Sequence, residues 1–499
     1  MANYLLGIDI GSYESKGVLA DPDGRIVAQH VIRHKLEFKG RGQVEHDAEA
    51  IWWGEFCQIA RVLSSGVSPS EIRGVGVSCV FSMLPIDAAN NPLRPGGIMY
   101  GIDTRSEAEI AAVNARFGEE AIFEAAGNTL STQSMGPKIE WLKTNEPEIH
   151  RQAAAFIHGA GFIVARLTGN RAMSHFDAAF YAPLYDLAAQ SWNAGMCSGI
   201  CEPDQLPELK WTCDVAGEVS AAGAEATGLA KGTLVTVGVS DAAAEALSIG
   251  VEAPGSMMMM YGSAAWMTLI TDQTLRDRAL WSTPFLFPGT YCLHAGILTS
   301  GSLTRWMRDL MGRDIVRQDG AGSNKAYQAM SEEAASIPPG SDGVLVLPYF
   351  AGASAPVHNP RARGIIFGLD ASHGRGHLYR AALEGVSCGI AHCLDTMREA
   401  GAEVARMTAV GGGTRNRNWL QIVSDISRVP QDICQTTIGA SYGDAFLAGL
   451  ASGLIGTRRQ IADWISMSGE ILPDPGVRET YRHLQERYHE LYRSTVHLL

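Results

Sequence analysis

The sequence predicts an α/β protein built twice over, with two large domains. Three observations carry that reading. The chain has 499 residues, too many for a single core, and its 46% hydrophobic and 19% charged residues suit buried parallel sheets. An apolar strand running into a small, Gly-containing turn with a hydroxyl occurs twice, as Tyr4-Leu5-Leu6-Gly7-Ile8-Asp9-Ile10-Gly11-Ser12 and as Ser256-Met257-Met258-Met259-Met260-Tyr261-Gly262-Ser263. Each copy opens a run of three strands that gives way to alternating strand and helix.

In the first half the pattern predicts strands over 5–10, 16–20 and 26–32, the last two joined by the turn Asp21-Pro22-Asp23-Gly24. Asp47 is placed to cap an amphipathic helix that begins at Ala48 and continues toward Leu63. Buried strands follow over 74–79 and 234–239. The second half repeats the plan with strands over 257–261, 265–270 and 291–296, a helix from Leu303, and a strand over 407–410. After Gly411-Gly412-Gly413 comes a helix with Trp419, Ile422, Val423 and Ile426 on its apolar face. Gly250, Pro254 and Gly255 break regular structure between the halves, which sets domains at 1–247 and 248–499 with a hinge over 246–255. Residues 337–341 read as a surface loop.

Net charge is −13 with no run of Lys or Arg, which argues against nucleic acid or an anionic membrane surface as partner. The nine cysteines sit singly, without the paired spacing or histidine partners of a zinc site, and read as reduced thiols of a cytoplasmic protein. No leader pattern and no membrane-length apolar stretch stands out.

Both turns expose backbone N–H groups where nothing bulky blocks a phosphate oxygen, so together they form a phosphate clamp. Gly11 and Ser12 belong to one nest, Gly262 and Ser263 to the other. Asp9 beside the first nest is positioned for a magnesium ion that neutralises phosphate charge, or else simply caps the turn. Asp241, at the end of a strand and the start of Ala242-Ala243-Ala244-Glu245, reads equally as a helix cap and as a general base at the carboxyl edge of a sheet. Gly412 and Gly413 let a flat base approach the backbone, and Asn416 can hydrogen-bond a nucleobase or ribose edge. Neither a Walker sequence nor a Gly-x-Gly-x-x-Gly after the first strand is present.

At this point the motifs resemble a known family. Gly364-Ile365-Ile366-Phe367-Gly368-Leu369, followed seven residues later by His377-Leu378-Tyr379-Arg380-Ala381-Ala382-Leu383-Glu384, is similar to the second signature of the FGGY carbohydrate kinases. Gly136-Pro137-Lys138-Ile139-Glu140-Trp141-Leu142 echoes the first signature, with Met135 where the family has a small hydroxyl residue or proline. Ser240-Asp241-Ala242, Leu347-Pro348-Tyr349, Asn359-Pro360 and Gly411-Gly412-Gly413 with Arg415 follow in the family's order. The resemblance implies two duplicated actin/hexokinase-like (ribonuclease H-like) domains around a central ligand cleft. It implies ATP and Mg2+ as cofactors, a small sugar as substrate and a homodimer as assembly. Asp241 falls on the family's catalytic base and Asp9 on its magnesium-associated carboxylate. Gly11, Ser12, Gly262 and Ser263 fall on its phosphate turns; Gly412, Gly413 and Asn416 fall on its adenosine site, with Gly301 lining the nucleotide.

Gln43-Val44-Glu45-His46-Asp47 and Leu93-Arg94-Pro95 bring the chain closest to the xylulose kinase branch, and an ATP-dependent transfer to a terminal hydroxyl of a ketopentose such as xylulose is the reaction so implied. Three sugar-contacting features of that branch are changed. Its Gln-Met-His-Gly is replaced after Ser78 by Cys79-Val80-Phe81-Ser82, its Trp-Asn-Asp by Tyr100-Gly101-Ile102-Asp103, and the Asn after the base by Ala242. Each change removes a partner worth about 1–3 kcal/mol to a buried hydroxyl. Phe81 as a stacking platform and Asp103 and Arg105 as replacement contacts are the candidates, against a core residue and a surface salt bridge. Other ketoses, polyols or aldonates remain as acceptors, and a nucleotide-dependent assembly or sensor protein on the same fold is the rival class.

Overall fold

The structure is a computed structural model and describes residues 2–319 and 324–498. The expected duplication is present as two seven-stranded sheets. In the first, Ile26–Arg33, Glu14–Ala20 and Tyr4–Ile10 form an antiparallel meander. Tyr4–Ile10 then lies parallel to Ile72–Cys79, which is parallel to Leu234–Thr236, and Val215–Glu218 closes the edge. The second sheet repeats this order, with Tyr291–Ile297, Ala265–Thr271 and Ser256–Tyr261 antiparallel, followed by Arg406–Val410 and Gln431–Cys434 in parallel. It adds two strands that the sequence pattern does not reveal, Trp281–Pro284 and Met467–Ile471, one at each edge.

Two other departures from the sequence reading have local causes. The strand expected over 234–239 is split into Leu234–Thr236 and Val239–Ser240, because Gly238 takes φ +81°, which ends the ladder. Loop 337–341 is not a free surface loop. Ser341 is buried, its hydroxyl donates to Glu384 Oε2 at 2.7 Å, and the Gly340 N–H donates to Glu384 Oε1 at 2.9 Å. Arg380 donates to the same carboxylate at 2.8 Å, so two charged residues of the second signature motif clamp this loop to the helix Arg375–Glu399.

The halves interlock through a helix late in the sequence. Ala440–Ala451 leaves its own sheet and lies across Tyr4–Ile10 and Ile72–Cys79 of the first, alongside the helix Asp241–Ser248. The approach depends on glycine: a Cβ on Gly7 would overlap the Ser441 carbonyl, one on Gly76 the Asp444 carbonyl, and one on Gly443 the Ala244 carbonyl. Leu5, Val239, Ala243, Met258, Val410 and Phe446 share the resulting core, drawn from both sheets. This packing sets the ends of the first strands of both sheets over one interdomain cavity.

Candidate active site

The Gly11-Ser12 turn is held by two histidines. His34 Nε2 lies 2.9 Å from the Gly11 carbonyl oxygen and Nδ1 lies 2.9 Å from Glu55 Oε2. Both partners accept hydrogen bonds, so both ring nitrogens carry hydrogen and the ring is a cation. Burial pulls its pKa down, but the hydrogen bond and charge of Glu55 and the Gly11 and Ser12 carbonyls outweigh this and leave it raised. His46 Nε2 donates to the Ser12 carbonyl at 3.1 Å while its Nδ1 accepts from Trp52 Nε1 at 3.3 Å, which makes His46 the neutral member. Burial and then the charge on His34 lower its pKa to about 4.

Asp9 is buried at the strand end, with Oδ1 at 3.0 Å from the Ser78 hydroxyl. Burial and then Asp241 push its pKa well above the carboxylate range; the Ser78 bond opposes this and Glu245 adds to it. A carboxylate so crowded by others suits a divalent cation, whose charge offsets theirs. Among the described residues no group of three or more metal-ligating side chains forms an ion site by itself. The ion's other ligands would therefore be phosphate oxygens and water.

The second turn is stitched to a helix start. The Gly301 N–H donates to the Gly262 carbonyl at 2.9 Å, and the Ser300 and Ser302 N–H groups donate to the Ser263 carbonyl at 3.0 Å each. A Cβ on Gly301 would come within 2.5 Å of the Gly262 oxygen, so glycine here is required by packing against the turn. In the triple-glycine segment, Gly411 backs onto the Tyr261 backbone and Gly413 onto Trp419 and Tyr261, whereas a Cβ on Gly412 would meet nothing within 4 Å. Gly412 thus leaves an open backbone face. Asn416 caps the helix Arg417–Ser427, its Oδ1 accepting from the Trp419 N–H at 3.2 Å and the Ser331 hydroxyl at 2.9 Å.

Asp241 opens the helix Asp241–Ser248, with Ser240 rather than Asp241 in the cap position. Its Oδ1 accepts from the Ala242 N–H at 2.8 Å. Burial raises its pKa to about 6, with the Ala242 N–H lowering it and Asp177 adding to the rise. Asp177 in turn accepts from the Ser240 N–H at 3.1 Å and from the Ser174 hydroxyl at 2.6 Å, which fixes the strand end that presents Asp241. One helical turn on, Glu245 is raised to about 7 by burial and then by Asp241.

Asp241, Glu245 and Ser12 face one cavity of about 250 Å³ that also takes in Phe81, Tyr100 and Gln133 from the first half and Met260, Trp266, Trp281 and His294 from the second. The fully buried Lys138 of the first signature motif donates to the Tyr100 carbonyl at 2.8 Å and to that of Met99, and burial lowers its pKa to about 7. Gln133 Oε1 accepts from the Gly101 N–H at 2.9 Å. These contacts hold the segment that presents Tyr100.

Asp103 and Arg105 lie outside the cavity lining. Arg105 donates to Asp103 Oδ2 at 2.7 Å and to Glu45 Oε1 at 2.7 Å, its guanidinium stacks on Trp141 at 4.8 Å, and Glu45 is shared with Arg94. The side chains are 2% and 0% exposed, so this pair is neither a sugar contact in this cavity nor a surface salt bridge but part of a buried ion network. Sequence reasoning gave no role to Gln133, Glu245, Trp266, Trp281 or His294. The spacing of Glu245 from Asp241, four residues along one helix face, was a readable signal. The other four needed the fold.

The profile of the N-terminal domain of the FGGY family of carbohydrate kinases matches residues 4–248, and that of the C-terminal domain matches 257–452. The chain belongs to the FGGY family of carbohydrate kinases. It is 27% identical to a xylulose kinase of Escherichia coli over 99% of both chains, and 28% identical to a glycerol kinase of Nocardia farcinica over 93% of both. Among solved structures, the xylulose kinase from Rhodospirillum rubrum superposes with a TM-score of 0.93 at 27% identity, covering 99% of each chain. The protein is thus a carbohydrate kinase, a phosphotransferase with a two-domain FGGY fold. Similar identity to enzymes named for a ketose and for a polyol leaves the acceptor to the site itself. No described helix is long and apolar enough to cross a membrane.

Proposed function

We propose that this FGGY kinase transfers the γ-phosphoryl group of ATP to a terminal hydroxyl of a ketose of about five carbons, with xylulose as the reference acceptor and Asp241 as general base. The observation that carries this reading is the convergence of Asp241 and the first phosphate turn, through Ser12, on one interdomain cavity. In the proposed complex Gly11, Ser12, Gly262 and Ser263 hold the β- and γ-phosphoryl oxygens through backbone N–H groups. The open face of Gly412, with Gly413 and Asn416 beside it, takes the adenosine; Gly301 braces the second turn beneath the nucleotide. Asp9 would hold a Mg2+ ion, which when bound neutralises phosphate charge during transfer. Asp241 accepts the proton of the acceptor hydroxyl, and a pKa near 6 keeps it ionised at neutral pH while close enough to be an effective base. Domain closure about 246–255 excludes water from the cavity.

The reading is tested by coupled ADP release over a panel of ketoses, polyols and aldonates. ADP release should depend on an acceptor, and Asp241→Ala should lower kcat by about a thousandfold while ATP binding persists. Because the folded-state pKa of Asp241 is raised, its base form is lost as pH falls, so kcat/KM should decline below about pH 6. ATP turnover that no acceptor stimulates, and that rises with protein concentration, would instead favour the assembly reading.

A further inference from the structure

The cavity holding Asp241 is divided by chemistry. Its carboxylate end offers Ser12, Ser240, Asp241 and Glu245, with Tyr100 and Gln133 on the first-domain side. Most of the remainder is a wall of six rings, five in a closed circuit and Phe81 joined to it through Phe180. Phe81 meets Phe180 at 4.8 Å between centroids, Phe180 meets Trp281 at 6.0 Å, and Trp281 meets Trp266 at 6.2 Å. Trp266 then stacks on His294 at 5.6 Å, His294 meets Phe176 at 5.7 Å, and Phe176 returns to Phe180 at 5.6 Å.

Most of the polar atoms of this wall are already occupied by neighbouring side chains. Trp266 Nε1 donates to Thr268 Oγ1 at 3.1 Å. His294 is engaged at both nitrogens, Nδ1 with Thr268 Oγ1 and Nε2 with Thr283 Oγ1, each at 3.1 Å, and burial lowers its pKa to about 3, so it is a neutral ring. The strand register explains why. Trp281 and Thr268 both stand opposite His294 on neighbouring strands, which places one face of three strands, Trp266 included, toward the site and gives the histidine a threonine on each side. The phenylalanines have nothing to donate. Among the described residues, only the indole N–H of Trp281 in this wall is not engaged in that way. A hydroxyl pressed against these rings gives up water and gains little, whereas a methyl or methylene carbon gains the full contact.

We propose that the acceptor is a short ketose or polyol that is hydroxylated at the end carrying the transferred oxygen and deoxygenated at the other, with its methyl or methylene carbon seated on the Phe81 and Phe180 rings. The inference rests on the kinase reading of this same site and adds its substrate class. Specificity then comes from hydroxyl recognition at the carboxylate end and oxygen rejection at the ring wall.

The test compares acceptors differing by single oxygens: xylulose, 1-deoxyxylulose and 5-deoxyxylulose, each at saturating ATP in the coupled ADP assay. Whichever end is phosphorylated, one deoxy analogue keeps that hydroxyl and loses the far one. That analogue should exceed xylulose by about tenfold or more in kcat/KM, and the other should be inert. Phe81→His, which puts a polar ring in the wall, should shift the ratio back toward xylulose by about tenfold. The ratio for the unmodified enzyme decides the matter even where that variant does not fold. Xylulose turned over as well as or better than both analogues overturns the inference and leaves the kinase reading intact. No acceptor of this set or of the wider panel exceeding the Asp241→Ala blank overturns the kinase reading, and the inference with it.

Discussion

The two Gly-Ser turns share one plan and differ in what stands behind them. Asp9 precedes Gly11 by two residues, and Met260 holds the same place before Gly262. The first turn is backed by a cationic His34, a neutral His46 and a carboxylate; the second is backed by the backbone of a helix start and by a triple-glycine segment. Charge-based chemistry is thus concentrated on the first half. The second half supplies, under the proposed function, a neutral backbone cradle for the nucleotide, and it contributes Trp266, Trp281 and His294 to a ring wall whose phenylalanines come from the first half.

The sharpest way to break that division is to exchange the paired residues. Asp9→Asn should lower kcat by about a hundredfold or more, since the proposed Mg2+ ion would lose its protein carboxylate. Met260→Leu, a change of similar volume at the matching position, should leave kcat within about threefold. Steady-state kinetics on both variants decides it. Comparable losses at the two positions would show that the halves share the charge chemistry after all.

A smaller effect tests the support of the first turn alone. His34 donates a charge-assisted hydrogen bond to the Gly11 carbonyl, and removing such a bond costs about 1.5–3 kcal/mol. His34→Asn should therefore raise the KM for ATP by about ten- to a hundredfold and leave kcat nearly unchanged, because the residue orders the turn without touching the reacting atoms. A fall in kcat at unchanged KM would move His34 from support of the turn into the chemistry.

Much of this was legible in the sequence because it is local. A strand, a glycine and a hydroxyl within a few residues define each turn, and the strand-to-helix junction at Asp241 needs no distant partner. The family signature motifs could be read for the same reason, although their charged residues prove to act structurally: Arg380 and Glu384 clamp loop 337–341, and Lys138 holds the carbonyl before Gly101. What escaped depends on pairing across the chain. The ring wall is assembled from a helix near residue 176, the segment around Phe81 and three strands of the second sheet, and alternation within a strand says which residues share a face but not what that face meets. Asp103 and Arg105 read as surface or sugar contacts because Glu45, which completes their network, comes from the distant strand Gln43–Asp47. The target of the helix Ala440–Ala451 was invisible for the same reason, since its glycine-lined seat lies in the opposite half.

That helix supplies the subtlest expected effect. Ser78 Oγ lies 3.0 Å from Asp9 Oδ1 and 2.6 Å from Asp444 Oδ2. A hydroxyl has one hydrogen, so it can donate to only one of the two carboxyl groups and must accept from the other, which is then protonated. Asp444 is the protonated partner: it is fully buried, its Oδ1 has no hydrogen-bond partner, and burial followed by the Asp9 charge holds its pKa well above the usual range. It donates to Ser78, and Ser78 donates to Asp9. Asp444→Asn keeps a donor at this place and should change kcat by less than about threefold. Its signature is in stability instead. A folded-state pKa raised above the unfolded value favours the native state only while the group is protonated, so the parent protein loses stability as pH rises past about 4, where the unfolded aspartate ionises. The asparagine variant cannot lose a proton there. Thermal melts of the two proteins should therefore diverge in favour of Asp444→Asn between pH 5 and pH 8, and parallel melts over that range would place the proton on Asp9 instead.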